Sequence, residues 1–203
     1  MKKFQLAYSL CKGFLAVVNV FKPTKVRGLE YIPEGGAVLC SNHVHFSDPF
    51  HIVTSFPKGE NMKIMSKEEV RHWPVVGPLL DWFGFIIWVK RGKADVGAVK
   101  SALKALKGGE KLLIFPEGTR NDELGEGKTG AAMMAIRTGV PLLPIHISLK
   151  RGLFTPVEIR IGPAYHPFTE DRKATAEDYQ AATDVLMGKI KALGEGTDPE
   201  ALP

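Results

Sequence analysis

From Gly35 onward, short apolar runs alternate with longer segments of helical character, and this alternation constrains the chain more than any other feature. It is the order an α/β fold requires, with helices packed over a sheet. Strands are expected near 37–41, 61–66, 85–90, 111–115, 142–149 and 157–161, and helices at 48–56, 67–82, 94–107, 128–138 and 175–192. Within 94–107, Val96, Val99, Leu103 and Leu106 keep the 3.6-residue period, Asp95 sits in the first turn, and Gly108-Gly109 ends the pattern. A chain of 203 residues fits a single core. The expected architecture is α/β: one domain over 25–193 with a mixed, mostly parallel sheet flanked by helices, an N-terminal amphipathic membrane helix within 1–24, and a flexible tail at 194–203.

Charge is unevenly distributed. Residues 1–30 carry Lys2, Lys3, Lys12, Lys22, Lys25 and Arg27 against Glu30 alone, while the last forty residues are acidic, within an overall charge of +5. No nucleic-acid motif accompanies the basic end. Phe4 to Phe21 is almost entirely apolar, with Gln5, Ser9, Lys12 and Asn19 spaced to share one helical face. Such a helix fits the interface of an anionic membrane; a transmembrane anchor and a helix packed on the core are the alternatives. The two cysteines, Cys11 and Cys40, suit a reducing compartment and have no metal-ligand spacing.

Two constellations carry chemistry. In the first, Ser41-Asn42-His43-Val44-His45-Phe46-Ser47-Asp48-Pro49 follows the apolar run Ala37 to Cys40, so His43 and Asp48 emerge where a strand ends and a helix begins. A neutral imidazole takes the proton of an attacking hydroxyl, and a carboxylate orients it and stabilises the imidazolium. Alternatively Asp48 is only a helix cap ahead of Pro49, or His43, His45, Asp48 and His51 ligate a metal. In the second, Phe115-Pro116-Glu117-Gly118-Thr119-Arg120 follows the strand-like 111–114, in a turn expected to aim Glu117 and Arg120 outward at the carboxyl edge of the sheet. With Arg91 and Lys128 these form a pocket for an anion such as phosphate; the alternatives are solvated charges and a Glu117–Arg120 ion pair.

These residues resemble the glycerophospholipid acyltransferase family, of which 1-acylglycerol-3-phosphate acyltransferases are typical. The resemblance runs in order through Asn42-His43-x4-Asp48, Gly84 to Arg91, Phe115 to Arg120 and Gly139 to Pro144, within about residues 35–165. It implies that His43 is the general base and Asp48 its partner. Arg91, Glu117, Gly118, Thr119, Arg120 and Lys128 would hold the acceptor's phosphate and glycerol, Lys128 through a Lys-x-Gly element. The fourth block would be structural, shaping the acyl-donor side of the site. His45 stands where many members have serine, and Lys90 where a small or acidic residue is usual.

The implied reaction moves a fatty acyl group from acyl-coenzyme A or acyl carrier protein to lysophosphatidate, giving phosphatidate. No cofactor or metal is needed, and the site would be the cytoplasmic surface of the inner membrane. Glycerol 3-phosphate or another lysolipid is the alternative acceptor; a metal-dependent hydrolase or a non-catalytic lipid-binding protein lies further off. Trp73, Trp82, Phe83 and Trp88 are the candidate walls of an acyl channel.

Overall fold

The computed structural model describes residues 2–18, 23–90, 95–120, 124–149, 155–168, 170–197 and 201. The chain runs α1 (Lys2–Val18), β1 (Thr24–Arg27), β2 (Ala37–Ser41), α2 (Asp48–Ser55), β3 (Met62–Lys67), α3 (Val76–Phe83), β4 (Ile86–Val89), α4 (Val96–Lys107), β5 (Lys111–Ile114), α5 (Gly130–Thr138), β6 (Leu142–Ile147), β7 (Val157–Ile161) and α6 (Ala176–Glu195). The strands form one seven-stranded sheet in the order β1-β7-β6-β2-β5-β3-β4. Each neighbouring pair is parallel except β6–β7.

The period of two within each strand sorts side chains between two cores. Ala37 and Leu39 of β2 join Leu113, Leu143 and Ile145 on the face covered by α1, α2 and α3. Val38 and Cys40 join Leu112 and Leu142 on the other face, under α4, α5 and α6. Helix α4 starts as its sequence demands, with Asp95 Oδ1 accepting the Ala98 N–H at 2.9 Å, and α6 starts from a Thr175–Asp178 capping box.

Three expectations change. The segment 67–82 is not one helix: a 3₁₀ turn over Glu68–His72 gives way at Trp73-Pro74-Val75 to α3. Pro74 keeps Trp73 out of the helical region, and Trp73 is extended at ψ 132°. Second, β1 has no counterpart in the sequence reading, because four residues with two charges do not stand out; it is an edge strand on which Lys25 and Arg27 are exposed.

Third, α1 packs one face on the domain, the alternative to a helix lying wholly in a membrane interface. Phe4, Ala7 and Tyr8 are buried in the first core, and the Tyr8 hydroxyl donates to Phe56 O at 2.9 Å. Gln5, expected on a polar outer face, donates from Nε2 to Glu60 O at 3.2 Å. Among the described residues no helix is long and apolar enough to cross a membrane.

Candidate active site

Strands β2 and β5 are parallel neighbours with Cys40 beside Ile114, so the loops leaving their carboxyl ends must meet. That register brings together His43 and Phe115, whose rings stack with centroids 4.0 Å apart at 23°. Nδ1 of His43 lies 3.0 Å from Oδ2 of Asp48, which is fully buried. The same oxygen accepts the backbone N–H groups of Val44 at 2.8 Å and His45 at 2.7 Å. Because a carboxylate only accepts, Nδ1 is the donor, and in the neutral ring this leaves the lone pair on Nε2, the tautomer a general base needs. Asp48 therefore does more than begin a helix, although it does occupy the first turn of α2.

Asn42 supports the pair from below. Its Nδ2 donates to Ile147 O at 2.9 Å and its Oδ1 accepts from Ile147 N at 2.8 Å, so the side chain continues the sheet pairing where the backbone of β2 leaves it. Neither Asn42 nor Phe115 stood out as a site residue in the sequence; their adjacency to His43 and Glu117 was the signal available.

The histidine sits at the mouth of a cleft of about 440 Å³ enclosed by α1, α2, α3 and the strand ends beside them. Phe4 and Tyr8, Phe50 and Val53, Leu80 and Phe85 give it apolar walls, while Gly118, Thr119, Arg120 and Lys128 line it together with His43. One compartment thus joins the oriented imidazole of His43, three cations (Lys67, Arg120 and Lys128) and an apolar interior. Gly118 is left-handed at φ +70°, and a Cβ there would come within 3.1 Å of Lys128 Nζ, so the lysine lies across this glycine. Lys128 is also anchored through its backbone, donating to Pro116 O at 2.9 Å.

Several expected residues fall elsewhere. Glu117 does not aim outward: the tight turn between Pro116 and Gly118 folds it back, and it is buried with Oε2 accepting the Gly125 N–H at 3.2 Å. It is outside the cleft lining, as a holder of the 124–128 segment. Arg91 lies outside the described residues. His45 pairs with Ser47 Oγ at 2.9 Å and His51 with Thr24 Oγ1 at 3.0 Å, and among the described residues no three His, Cys, Asp or Glu side chains converge as a metal site. Lys90 is exposed, and its side chain is not part of the cleft lining.

Of the four candidate channel aromatics only Trp73 lines the cleft. Phe83 is in the core, Trp82 is exposed, and the Trp88 indole donates to Asp81 Oδ1 at 2.6 Å. The fourth block, Gly139 to Pro144, does not shape the cleft either. It leads into β6, where Leu142 stands beside Val38 and Pro144 beside Cys40, and none of its residues lines the cleft.

The acyltransferase family profile matches residues 23–148. A chloroplast 1-acyl-sn-glycerol-3-phosphate acyltransferase of Brassica napus is 35% identical over 131 residues, covering 62% of this chain and 37% of its own. A lyso-ornithine lipid O-acyltransferase of Pseudomonas aeruginosa is 32% identical over 149 residues, covering 72% of this chain and 56% of its own. The chain therefore spans from about a third to somewhat over half the length of these relatives. The crystal structure of a 1-acyl-sn-glycerophosphate acyltransferase, PlsC, from Thermotoga maritima is similar with a TM-score of 0.67 at 25% identity, over 92% of this chain and 79% of that one.

Proposed function

The chain belongs to the glycerophospholipid acyltransferase family, and on that premise we propose that it transfers a fatty acyl group from an acyl thioester to the free hydroxyl of 1-acylglycerol 3-phosphate, forming phosphatidate. The observation that carries this reading is the oriented His43–Asp48 pair at the mouth of an apolar cleft that also holds Arg120 and Lys128. His43 Nε2 takes the proton of the acceptor hydroxyl as its oxygen attacks the thioester carbonyl. Asp48 stabilises the imidazolium that results. Collapse of the tetrahedral oxyanion breaks the carbon–sulfur bond, and the proton held by His43 goes to the departing thiolate. The sequence of steps needs neither a metal nor an acyl-enzyme.

In this reading Lys128 and Arg120 meet the phosphate, with Arg91 added by the family resemblance. Gly118 and Thr119 line its approach, and Glu117 acts by holding the loop. The apolar interior takes an acyl chain, and the donor is acyl-coenzyme A or acyl carrier protein. The reaction would take place at the cytoplasmic face of the inner membrane. A second reading of the acceptor, a lyso-ornithine lipid, is favoured by the Pseudomonas aeruginosa relative; that acceptor lacks the phosphate that the cleft cations suit.

The test is to incubate the protein with lysophosphatidate and labelled acyl-coenzyme A, or acyl carrier protein, in chelator, beside His43→Ala. Phosphatidate formed by the wild type and reduced roughly 10²- to 10⁴-fold in the variant is the expected outcome. Turnover of lyso-ornithine lipid alone would replace the acceptor, and a fully active His43→Ala would overturn the mechanism.

A further inference from the structure

Helix α3 is apolar on two sides, although only one is packed. Gly77 and Phe83 are buried against the domain. Leu79 and Trp82, three apart on α3, are 49% and 52% exposed, and Val75, in the turn that precedes the helix, is 79% exposed. A helix apolar all round is normally enclosed, and a large apolar patch facing solvent marks an interaction surface. The patch continues at the cleft, where Trp73 and Val76 from the α3 side and Phe46 and Phe50 from the α2 side are at once exposed and part of the lining.

The backbone at the head of this patch is strained. Val75 stands at φ 65° and ψ −51°, inside a three-residue turn closed by Val76 N donating to Pro74 O at 2.7 Å. A β-branched residue at positive φ is costly, and it persists here at the point where the side chain projects furthest into solvent.

Two features of the surroundings identify what covers the patch. Its apolar residues form the lip of the cleft, so whatever covers them delivers or receives the apolar occupant of the cleft without crossing water. Its charge is basic: Lys2, Lys3 and Lys12 are exposed on α1, and Lys3 Nζ lies 5.2 Å over the Trp82 ring. The acid of α3 is neutralised, since Asp81 pairs with Arg71 Nε at 2.7 Å. Tryptophan beside lysine at an apolar rim is the composition of a surface that sits at a lipid interface and meets anionic headgroups.

We propose that the exposed apolar surface of α3 and the turn before it, from Trp73 to Trp82, docks on the surface of an anionic lipid bilayer and seats the lip of the cleft in its apolar layer. The inference rests on reading the cleft as an acyl-chain site.

The test uses the double variant Val75→Gly, Leu79→Glu, neither position being in the cleft lining. Glycine relaxes the turn and Leu79 is half exposed, so the thermal melting point should remain within a few degrees of wild type. Wild-type protein should co-sediment with phosphatidylcholine vesicles containing phosphatidylglycerol, and the variant should lose about tenfold or more in vesicle affinity. Acylation of a short-chain lysophosphatidate dissolved as monomers should be unchanged in the variant, whereas acylation of vesicle-borne lysophosphatidate should fall. A variant that sediments like wild type overturns the docking surface whatever the activities. Equal wild-type affinity for vesicles without phosphatidylglycerol overturns the role of anionic headgroups. A wild-type dimer by light scattering that the variant converts to monomer, with vesicle binding unaltered, assigns the patch to a second copy and overturns the proposal. Vesicle binding that follows the patch in a protein inactive on both acceptors leaves docking standing and removes the acyltransferase reading instead.

Discussion

Asp48→Asn separates a catalytic carboxylate from a loop cap. In the wild type one fully buried oxygen, Oδ2, accepts from Val44 N, His45 N and His43 Nδ1 at 2.8, 2.7 and 3.0 Å. Asparagine has the same shape, and its single carbonyl oxygen can receive the same three donors. What it removes is the negative charge facing the imidazolium that forms as His43 takes the proton. At 3.0 Å and an effective dielectric of 20, that attraction is about 5.5 kcal/mol, or about 10⁴ in rate. The His43 side chain is 17% exposed, which screens part of it, so the expected loss in kcat is about 10²- to 10⁴-fold. KM should change little, because the charge is needed only once the proton has moved. Stability should fall by about 1 kcal/mol as charge-assisted bonds become neutral ones, about 2–4 °C in melting temperature for a chain of this length. The assay is initial-rate kinetics of acyl transfer beside a thermal melt of both proteins. A variant that keeps more than about a tenth of wild-type kcat while its melting point drops would refute the reasoning and make Asp48 a cap.

Asn42→Ala should strand the buried N–H and C=O of Ile147, lowering stability by about 1–3 kcal/mol in a denaturant melt and depressing kcat, since the loop bearing His43 loses its tie to β6. Gly118→Ala should cost about 1–2 kcal/mol for a left-handed alanine and push Lys128 aside, read as a raised KM for lysophosphatidate with a smaller change in kcat. Burial raises the thiol pKa of Cys40 strongly and that of Cys11 less, so both carry less thiolate at pH 8 than a free cysteine; iodoacetamide on the native protein should modify Cys11 first, with Cys40 protected until unfolding, as mass spectrometry of timed samples would show.

The elements most legible in the sequence are those with strong local causes. Asp95 and Gly108 bracket α4 because caps act within one turn. The runs at 37–41 and 111–114 are strands, lying in the middle of the sheet and buried throughout. The His43–Asp48 pair was visible for the same reason: five residues spanning a strand end and a helix start leave the two side chains few places to go. Segment 67–82 reads as one helix because its apolar period continues through Pro74, where backbone sterics override it. The sequence leaves α1 between a membrane interface and a protein core because an apolar face fits both, and the structure packs Phe4, Ala7 and Tyr8 on the core.

Strand order was decided by the tertiary structure, and much of the site follows from it. Placing β5 between β2 and β3 stacks Phe115 on His43 and sets Lys128 across Gly118 at the same mouth. It also runs the Gly139 block into β6 beside β2, from Val38 to Cys40. Composition and periodicity report what each segment can bury, and in this chain they determined the α/β class, the limits of α4 and the place of the His43–Asp48 motif at a strand end. They carry no information on which strands lie side by side, because parallel neighbours are joined through distant helices and any apolar strand can fill the sheet. The cleft, its cationic lip and the exposed apolar surface of α3 therefore exist only in the assembled fold.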